Sequence, residues 1–133
     1  MKELMFTLSL LAFLGCAAGS LGIEAMEKGL NDSIAAYENC ALDYAVSAAK
    51  GKEDPDAIYV ASKAACQNED EKTESLWIDY KQRTAPSSLN VYGRPMERAE
   101  RKAKEEWEKE KVKIGRNVVK TVVDERLKRE AHQ

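Results

Sequence analysis

Two cysteines at matching distances from one turn constrain this chain more than any other feature of its sequence. Residues 31–50 and 55–83 have helical patterning and meet at the polar turn GKEDPD. Cys40 lies ten residues before the end of the first run, and Cys66 lies eleven residues after the start of the second. At a rise of about 1.5 Å per residue, both stand about 15–16 Å from the turn of an antiparallel pair. The spacing predicts a Cys40–Cys66 disulfide, although two small apolar residues in a helix seam would have the same spacing.

Apolar residues recur every three or four positions in the first run, which is typical of a helix with one buried face. They are Leu30, Ile34, Tyr37, Ala41, Tyr44 and Ala48. The second run begins with a capping Asp54, Pro55 at the first helical position and Asp56 near the positive end of the helix dipole. The segment QNEDEKTE is too polar to bury, so the second helix either continues to its end or breaks near Asn68. We therefore predict a disulfide-stapled antiparallel hairpin over 31–83.

The amino terminus has the pattern of a secretory signal peptide. Lys2 precedes an uncharged apolar run from Leu4 to Leu14, and small residues follow. This run is shorter than the roughly 20 apolar residues that a permanent membrane-spanning helix needs. Cleavage after Ala18 would make 1–18 a removed signal peptide.

A second interpretation starts from Cys16. Phe13-Leu14-Gly15-Cys16 resembles the bacterial lipobox, in which the cysteine becomes the lipidated first residue of the mature chain. Its first two residues depart from that pattern. Either route removes Cys16 as a free thiol and leaves an even pair of cysteines for an oxidising compartment. The expected location is the periplasm or an envelope-anchored position, or outside the cell if the chain is eukaryotic.

Three further segments are predicted around the hairpin. Residues 19–30 lack clear periodicity and are expected to form a linker. Residues 84–94 contain Pro86 and Gly93 and are expected to be an irregular link. Residues 95–131 have the pattern of one long charged, amphipathic helix. The fold class is thus all-α.

The long final helix has a thin apolar stripe among many charges. A helix of this length spans about 55 Å, which is more than the hairpin can cover. It is expected either to bend near Gly115 and pack back on the hairpin, or to project towards another molecule. The residues predicted to bind a partner, or a second copy in a coiled coil, are Trp107, Ile114, Val118, Val119, Val122 and Val123. The β-branched segment VVKTVV could also form a short strand, but its flanks favour helix.

Catalytic and metal-binding patterns are missing from the sequence. The single histidine, His132, is the penultimate residue, where chains usually fray. The sequence has no glycine-rich phosphate loop, no HExxH and no EF-hand calcium loop. Cys40 and Cys66 are not a CxxC redox pair. We expect no enzyme activity, no cofactor and no metal.

The charge pattern weakens the case for nucleic acid. Residues 93–133 carry 13 basic and 9 acidic side chains, so most of the field that phosphate binding needs is neutralised. Lys120, Arg126, Lys128 and Arg129 could instead meet lipid headgroups, with the valines inserted below them. Membrane-surface contact is therefore one alternative function.

Together these features predict a non-enzymatic, exported helical protein of the bacterial envelope that acts through its final helix as an interaction or structural module. The alternative from a different class is a small-ligand carrier that uses a cluster of aromatic rings. Its members would be Tyr37, Tyr44, Tyr59, Trp77, Tyr80 and Tyr92.

Overall fold

The computed structural model describes residues 17–85 and 95–133, with side chains over 22–85 and 96–133. These residues form four helices: α1 (Ala17–Ala48), α2 (Pro55–Ala65), α3 (Gln67–Thr84) and α4 (Pro95–Glu130). No strand occurs in the described ranges, and VVKTVV is helical. The all-α prediction is confirmed. Residues 1–16 of the proposed signal peptide, with the possible lipidation site Cys16, and residues 86–94 of the link lie outside the described residues.

The helices pack as three rods, because α2 and α3 follow one another along one direction. We call residues 55–84 the middle rod. It runs antiparallel to α1. Ser33 is hydrogen-bonded to Thr73, and Cys40, further along α1, forms a disulfide with Cys66, which comes earlier in the middle rod. Helix α4 runs antiparallel to the middle rod and contacts all three other helices.

The disulfide joins α1 to a point near the centre of the middle rod. The Cα atoms of Cys40 and Cys66 are 6.0 Å apart and their sulfurs are bonded. Cys66 is fully buried and is the one residue between α2 and α3. The predicted disulfide is therefore confirmed. Of the two alternatives for the second helix, continuation or a break near Asn68, the structure has a break, and it lies at Cys66.

Backbone hydrogen bonds continue across this break. The amide of Cys66 donates to the Ser62 carbonyl at 2.9 Å, and the amide of Asp70 donates to the Cys66 carbonyl at 3.0 Å. At the other end of α2, the Asp54 side chain accepts from the Asp56 amide at 2.9 Å, as its sequence predicts for a capping residue. The middle rod thus behaves as one helical unit with a local irregularity at the cysteine.

Helix α1 is longer than the sequence indicated. Residues 19–30, expected as a linker, continue the helix from Ala17, and Leu30 lies in the core at 5% exposure. Ser33 stands level with Thr73, and α3 extends another eleven residues beside this part of α1. Here Met26 and Gly29 are half-buried, while 22–25, 27 and 28 are exposed. Packing against a neighbour stabilises helix where the local pattern is weak.

Helix α4 is continuous through Gly115 and packs along the hairpin instead of projecting from it. Ala103, Trp107, Ile114, Val118 and Val122 are all buried. This long apolar stripe of α4 is covered along its length because α1 and the middle rod are themselves about 45 Å long. The carboxyl-terminal end of α4 is fixed to the turn before α2, where Arg126 donates to the Glu53 carbonyl at 2.6 Å.

Candidate functional site

The structure divides the predicted partner-binding residues into two groups. Trp107, Ile114, Val118 and Val122 fill the intramolecular core, at 0–3% exposure. This corrects their assignment as a free surface, because their contacts are already made with the hairpin. Val119 is half-buried and Val123 is 42% exposed, so only these two of the six remain available to another molecule.

A second apolar stripe lies on the other side of α4. It consists of Val112, Val119, Val123 and Leu127, and we call it the outer stripe. Val112 is 52% and Leu127 58% exposed. Their separations of seven, four and four residues bring them to one face of a helix, about 145° (two fifths of a turn) away from the core stripe. Val112 and Leu127 were not among the predicted partner-binding residues, although their spacing along the helix is visible in the sequence.

The outer stripe borders a groove between α2 and α4. The groove has a volume of about 480 Å³. Its lining consists of Asp56, Tyr59, Val112, Gly115, Arg116, Val119 and Lys120. We call it the α2/α4 groove.

Tyr59 forms the floor of this groove by lying directly on Gly115. A Cβ atom at position 115 would stand only 2.4 Å from Cζ of the ring. The close approach lets the Tyr59 hydroxyl donate to the Lys111 carbonyl at 3.1 Å. Lys63 lies over the ring at 4.7 Å from its centroid. The glycine near which the sequence allowed a bend is thus a contact site for an aromatic ring.

We expect Gly115→Ala to lower the free energy of unfolding by about 1 kcal/mol. Overpacking costs about 1–3 kcal/mol, and the better helix propensity of alanine returns about 1 kcal/mol. In a Tyr59→Ala background the clash is gone, so the same substitution should be stabilising by about 1 kcal/mol. Urea unfolding of the four proteins measures both effects. An effect of the same sign in both backgrounds would contradict the Tyr59–Gly115 contact.

A buried ionic and aromatic cluster holds α4 against α1 and α3. The Trp107 indole donates to Asp70 at 2.6 Å, and the Lys111 ammonium lies 3.1 Å from the same carboxylate. Lys111 also pairs with Glu108 at 2.7 Å and lies over the Trp107 ring. Burial lowers the pKa of Lys111, but its hydrogen bonds to Glu108 and Asp70 outweigh burial, so the pKa lies above its ordinary value.

Tyr37 is the polar group in this core that lacks a partner. Its ring meets Trp107 edge-on, with centroids 5.2 Å apart. Its hydroxyl is buried and makes no hydrogen bond within the described ranges. Burial, and after it the charge of Asp70, raises the pKa of Tyr37, because ionisation would place a second negative charge in the core.

We expect Tyr37→Phe to raise the free energy of unfolding by about 1 kcal/mol, because an unsatisfied buried hydroxyl costs about 1–3 kcal/mol. The substitution should also change the alkaline limb of the stability curve. Above pH about 10 a tyrosine in the unfolded chain loses its proton while Tyr37 in the folded chain keeps it, so stability falls as pH rises. Lys111, with its raised pKa, contributes in the same direction. Denaturant titrations at several pH values should therefore show a smaller alkaline loss for Tyr37→Phe than for the parent, and an equal loss would contradict this role of Tyr37.

A second polar contact fixes the Trp77 side of the cluster. The Trp77 indole donates to Glu106 at 3.4 Å, and Lys81 pairs with the same carboxylate at 2.7 Å. The hydrogen bond from Lys81 lowers the pKa of Glu106. This carboxylate therefore joins α3 to α4 in its charged form at neutral pH.

The aromatic residues proposed for a carrier do not share one environment. Tyr37 belongs to the core, and Tyr44, Trp77 and Tyr59 pack against it. Tyr59 also lines the α2/α4 groove. Tyr80 is half-buried on α3, and Tyr92 lies outside the described residues. A ligand at the Tyr37–Trp107 contact would have to displace one of two fully buried rings.

The remaining chemistry is sparse in the part of the chain that the structure describes. No group of three or more His, Cys, Asp or Glu residues there could hold a metal ion. His132 is exposed, two residues beyond the end of α4. None of the described helices combines the length and the apolar character needed to cross a bilayer.

Comparison with known proteins gives no match to this architecture. No protein-family model, no curated protein and no solved structure matches the chain. The α2/α4 groove and the outer stripe are therefore interpreted from their own geometry and chemistry.

Proposed function

We propose that this chain is a non-enzymatic, exported helical protein of the bacterial envelope, and that it binds a protein partner through the α2/α4 groove and the outer stripe. The observation that carries the proposal is the division of α4 into two apolar faces. One face is covered by the hairpin, while Val112, Val123 and Leu127 are 42–58% exposed on the other. An exposed apolar row beside a groove is typical of an interaction site.

The disulfide supports export. Structural disulfides persist in the periplasm and outside the cell, and they are rare in the cytosol. Fractionation of cells producing the chain, followed by thiol labelling, should find it in the envelope fraction with Cys40 and Cys66 unlabelled. A reduced cytosolic protein would contradict this part of the proposal.

Two of the four basic residues that would meet lipid headgroups already have partners within the fold, which favours a protein over a lipid surface. Arg126 is engaged with the Glu53 carbonyl, and Lys128 pairs with Glu125 at 2.8 Å. The apolar floor at Tyr59 lies between two helices, where a flat surface reaches less easily than a side chain. Lipid association through Leu127 is the competing outcome in the experiments below.

Photocrosslinking in intact cells tests the interaction. Residues five positions apart on a helix point about 140° apart, so Val112 and Asn117 form a matched pair of exposed positions, with Asn117 on the α1 side, where it donates to Glu38 at 3.1 Å. We expect a crosslinking side chain at Val112 to give a discrete protein adduct, and the same side chain at Asn117 to give little. Val123→Asp in the Val112 crosslinker chain should remove the adduct without unfolding the protein. Adducts of equal yield at both positions, or at neither, would contradict the proposed site.

Surface substitutions are a better test than truncation. A chain ending at Tyr92 loses Trp107, Ile114 and Val118, which belong to the core. Any loss of binding would then also follow from unfolding. The Val123 side chain avoids this problem because it is 42% exposed and does not belong to the core.

A further inference from the structure

The α2/α4 groove has an excess of positive charge around its apolar floor. Arg116 and Lys120 line it from α4, and Lys63 lies over Tyr59 from α2. Asp56 is the one acidic residue among its lining residues. In the described ranges neither Arg116 nor Lys120 forms an ion pair or a hydrogen bond with another side chain. These two cations are therefore free to meet a partner's carboxylates.

The length of the outer stripe indicates the shape of the partner. From Val112 to Leu127 the stripe extends about 22 Å, which equals about four turns of helix. A helix laid in a groove presents apolar residues every three or four positions and carries its polar residues on the flanks. Arg116, four residues after Val112 and seven before Val123, stands within the stripe. Lys120 lies one turn further along at its edge. Both cations can therefore meet acidic residues on one side of such a helix.

We infer that the partner presents an amphipathic helix whose apolar stripe is flanked by Asp and Glu residues. This inference rests on the proposed function and specifies the chemistry of what the groove binds. The apolar stripe of the partner would cover Val112, Val119 and Tyr59. Its carboxylates would pair with Arg116 and Lys120, and charge complementarity would set which helices bind.

Two synthetic helical peptides of about 15 residues test the inference on the full chain. Both carry the same leucine stripe, with glutamate on the flanks of one and lysine on the flanks of the other. We expect the glutamate peptide to bind at least about tenfold more tightly in dilute buffer. The difference should shrink as salt screens the charges.

The chain supplies its own matched control. Arg98 and Lys102 have the same residue types and the same spacing as Arg116 and Lys120, and each lies eighteen residues earlier on α4. This is five helical turns, so both pairs point in the same direction from α4, about 27 Å apart. R116E/K120E should lose or reverse the preference for the glutamate peptide. R98E/K102E should keep it, and both variants should retain the parent's circular dichroism.

Each of the other outcomes would overturn one part of the inference or of the proposed function. Equal binding of the two peptides at the groove would overturn the acidic flank and leave the proposed function standing. Binding of neither peptide, with the Val112 adduct intact, would show that the partner is not a helix of this kind. Binding of neither, with no Val112 adduct, would overturn the proposed function itself.

Two other occupants of the α2/α4 groove would give different experimental results. Vesicles of phosphatidylethanolamine and phosphatidylglycerol that bind the parent but not R116E/K120E, while neither peptide binds, would identify a lipid surface and overturn the inference. Self-association in sedimentation experiments that R116E/K120E abolishes would identify a second copy of the chain, with the same consequence.

Discussion

Replacing Trp107 by alanine is expected to reduce the free energy of unfolding by about 3–5 kcal/mol, the usual cost of removing a large buried aromatic side chain. Trp107 is fully buried and contacts the rings of both Tyr37 and Trp77. Its indole also donates to Asp70, so the substitution leaves that carboxylate with one hydrogen bond fewer. The free energy of unfolding of a small domain is about 5–15 kcal/mol in total. The variant should therefore be close to unfolding at growth temperature.

Urea unfolding followed by circular dichroism measures this loss. Val123→Ala on the same helix is the control, because exposed positions usually change stability by less than about 0.5 kcal/mol. Trp107→Phe retains most of the ring contacts and should fall between the two. A Trp107→Ala variant as stable as the control would show that α4 does not pack on the hairpin.

The second large effect is expected from the disulfide. Replacing Cys40 and Cys66 together by alanine should cost about 3–4 kcal/mol in the chain-entropy model, given the sequence separation of 26 residues. The bridge connects α1 to the junction of α2 and α3, so it restricts the unfolded chain across the whole hairpin. The fully buried position of Cys66 adds a small packing loss.

A reductant separates the effect of the disulfide bond on stability from the effect of side-chain packing at Cys40 and Cys66. Dithiothreitol should lower the midpoint of urea unfolding for the parent and leave the double alanine variant unchanged. The reduced parent should then lie close to the variant in stability. A parent that unfolds at the same urea concentration with and without reductant would contradict a stabilising role of the bridge.

The disulfide was predictable because its argument needs only the rise of a helix and the position of one turn. The start of α2 at Asp54 was predictable for a similar reason, since capping depends on neighbouring residues. Both features are local or follow from regular geometry. The register of Cys40 against Cys66 then aligns the whole of α1 with the middle rod.

The packing of α4 was not predictable because its sequence has two apolar faces. Val118 and Val123 are the same residue type five positions apart, and the pattern does not say which one faces the hairpin. The buried pair of Asp70 and Lys111 was equally hidden, because its members are 41 residues apart. In a chain with so many charges, any lysine could have paired with any acid.

The candidate site was predicted only in part, for the same reason. Six residues of α4 were predicted to bind a partner because they are apolar and the sequence does not show what covers them. Once the hairpin covers one face, Val119 and Val123 remain, and Val112 and Leu127 join them. The groove itself depends on Tyr59 lying against Gly115, a contact between residues that no spacing rule connects.

The central claim is that α4 has one face for the core and another for a partner. Thermal unfolding of Val118→Asp beside Val123→Asp tests it most directly, because the same change is made on the two faces. Val118→Asp places a charge in the core and should cost about 4 kcal/mol or more. Val123→Asp should unfold within a few degrees of the parent, yet lose the Val112 adduct. Equal destabilisation by both substitutions, or a tolerated Val118→Asp, would contradict the claim.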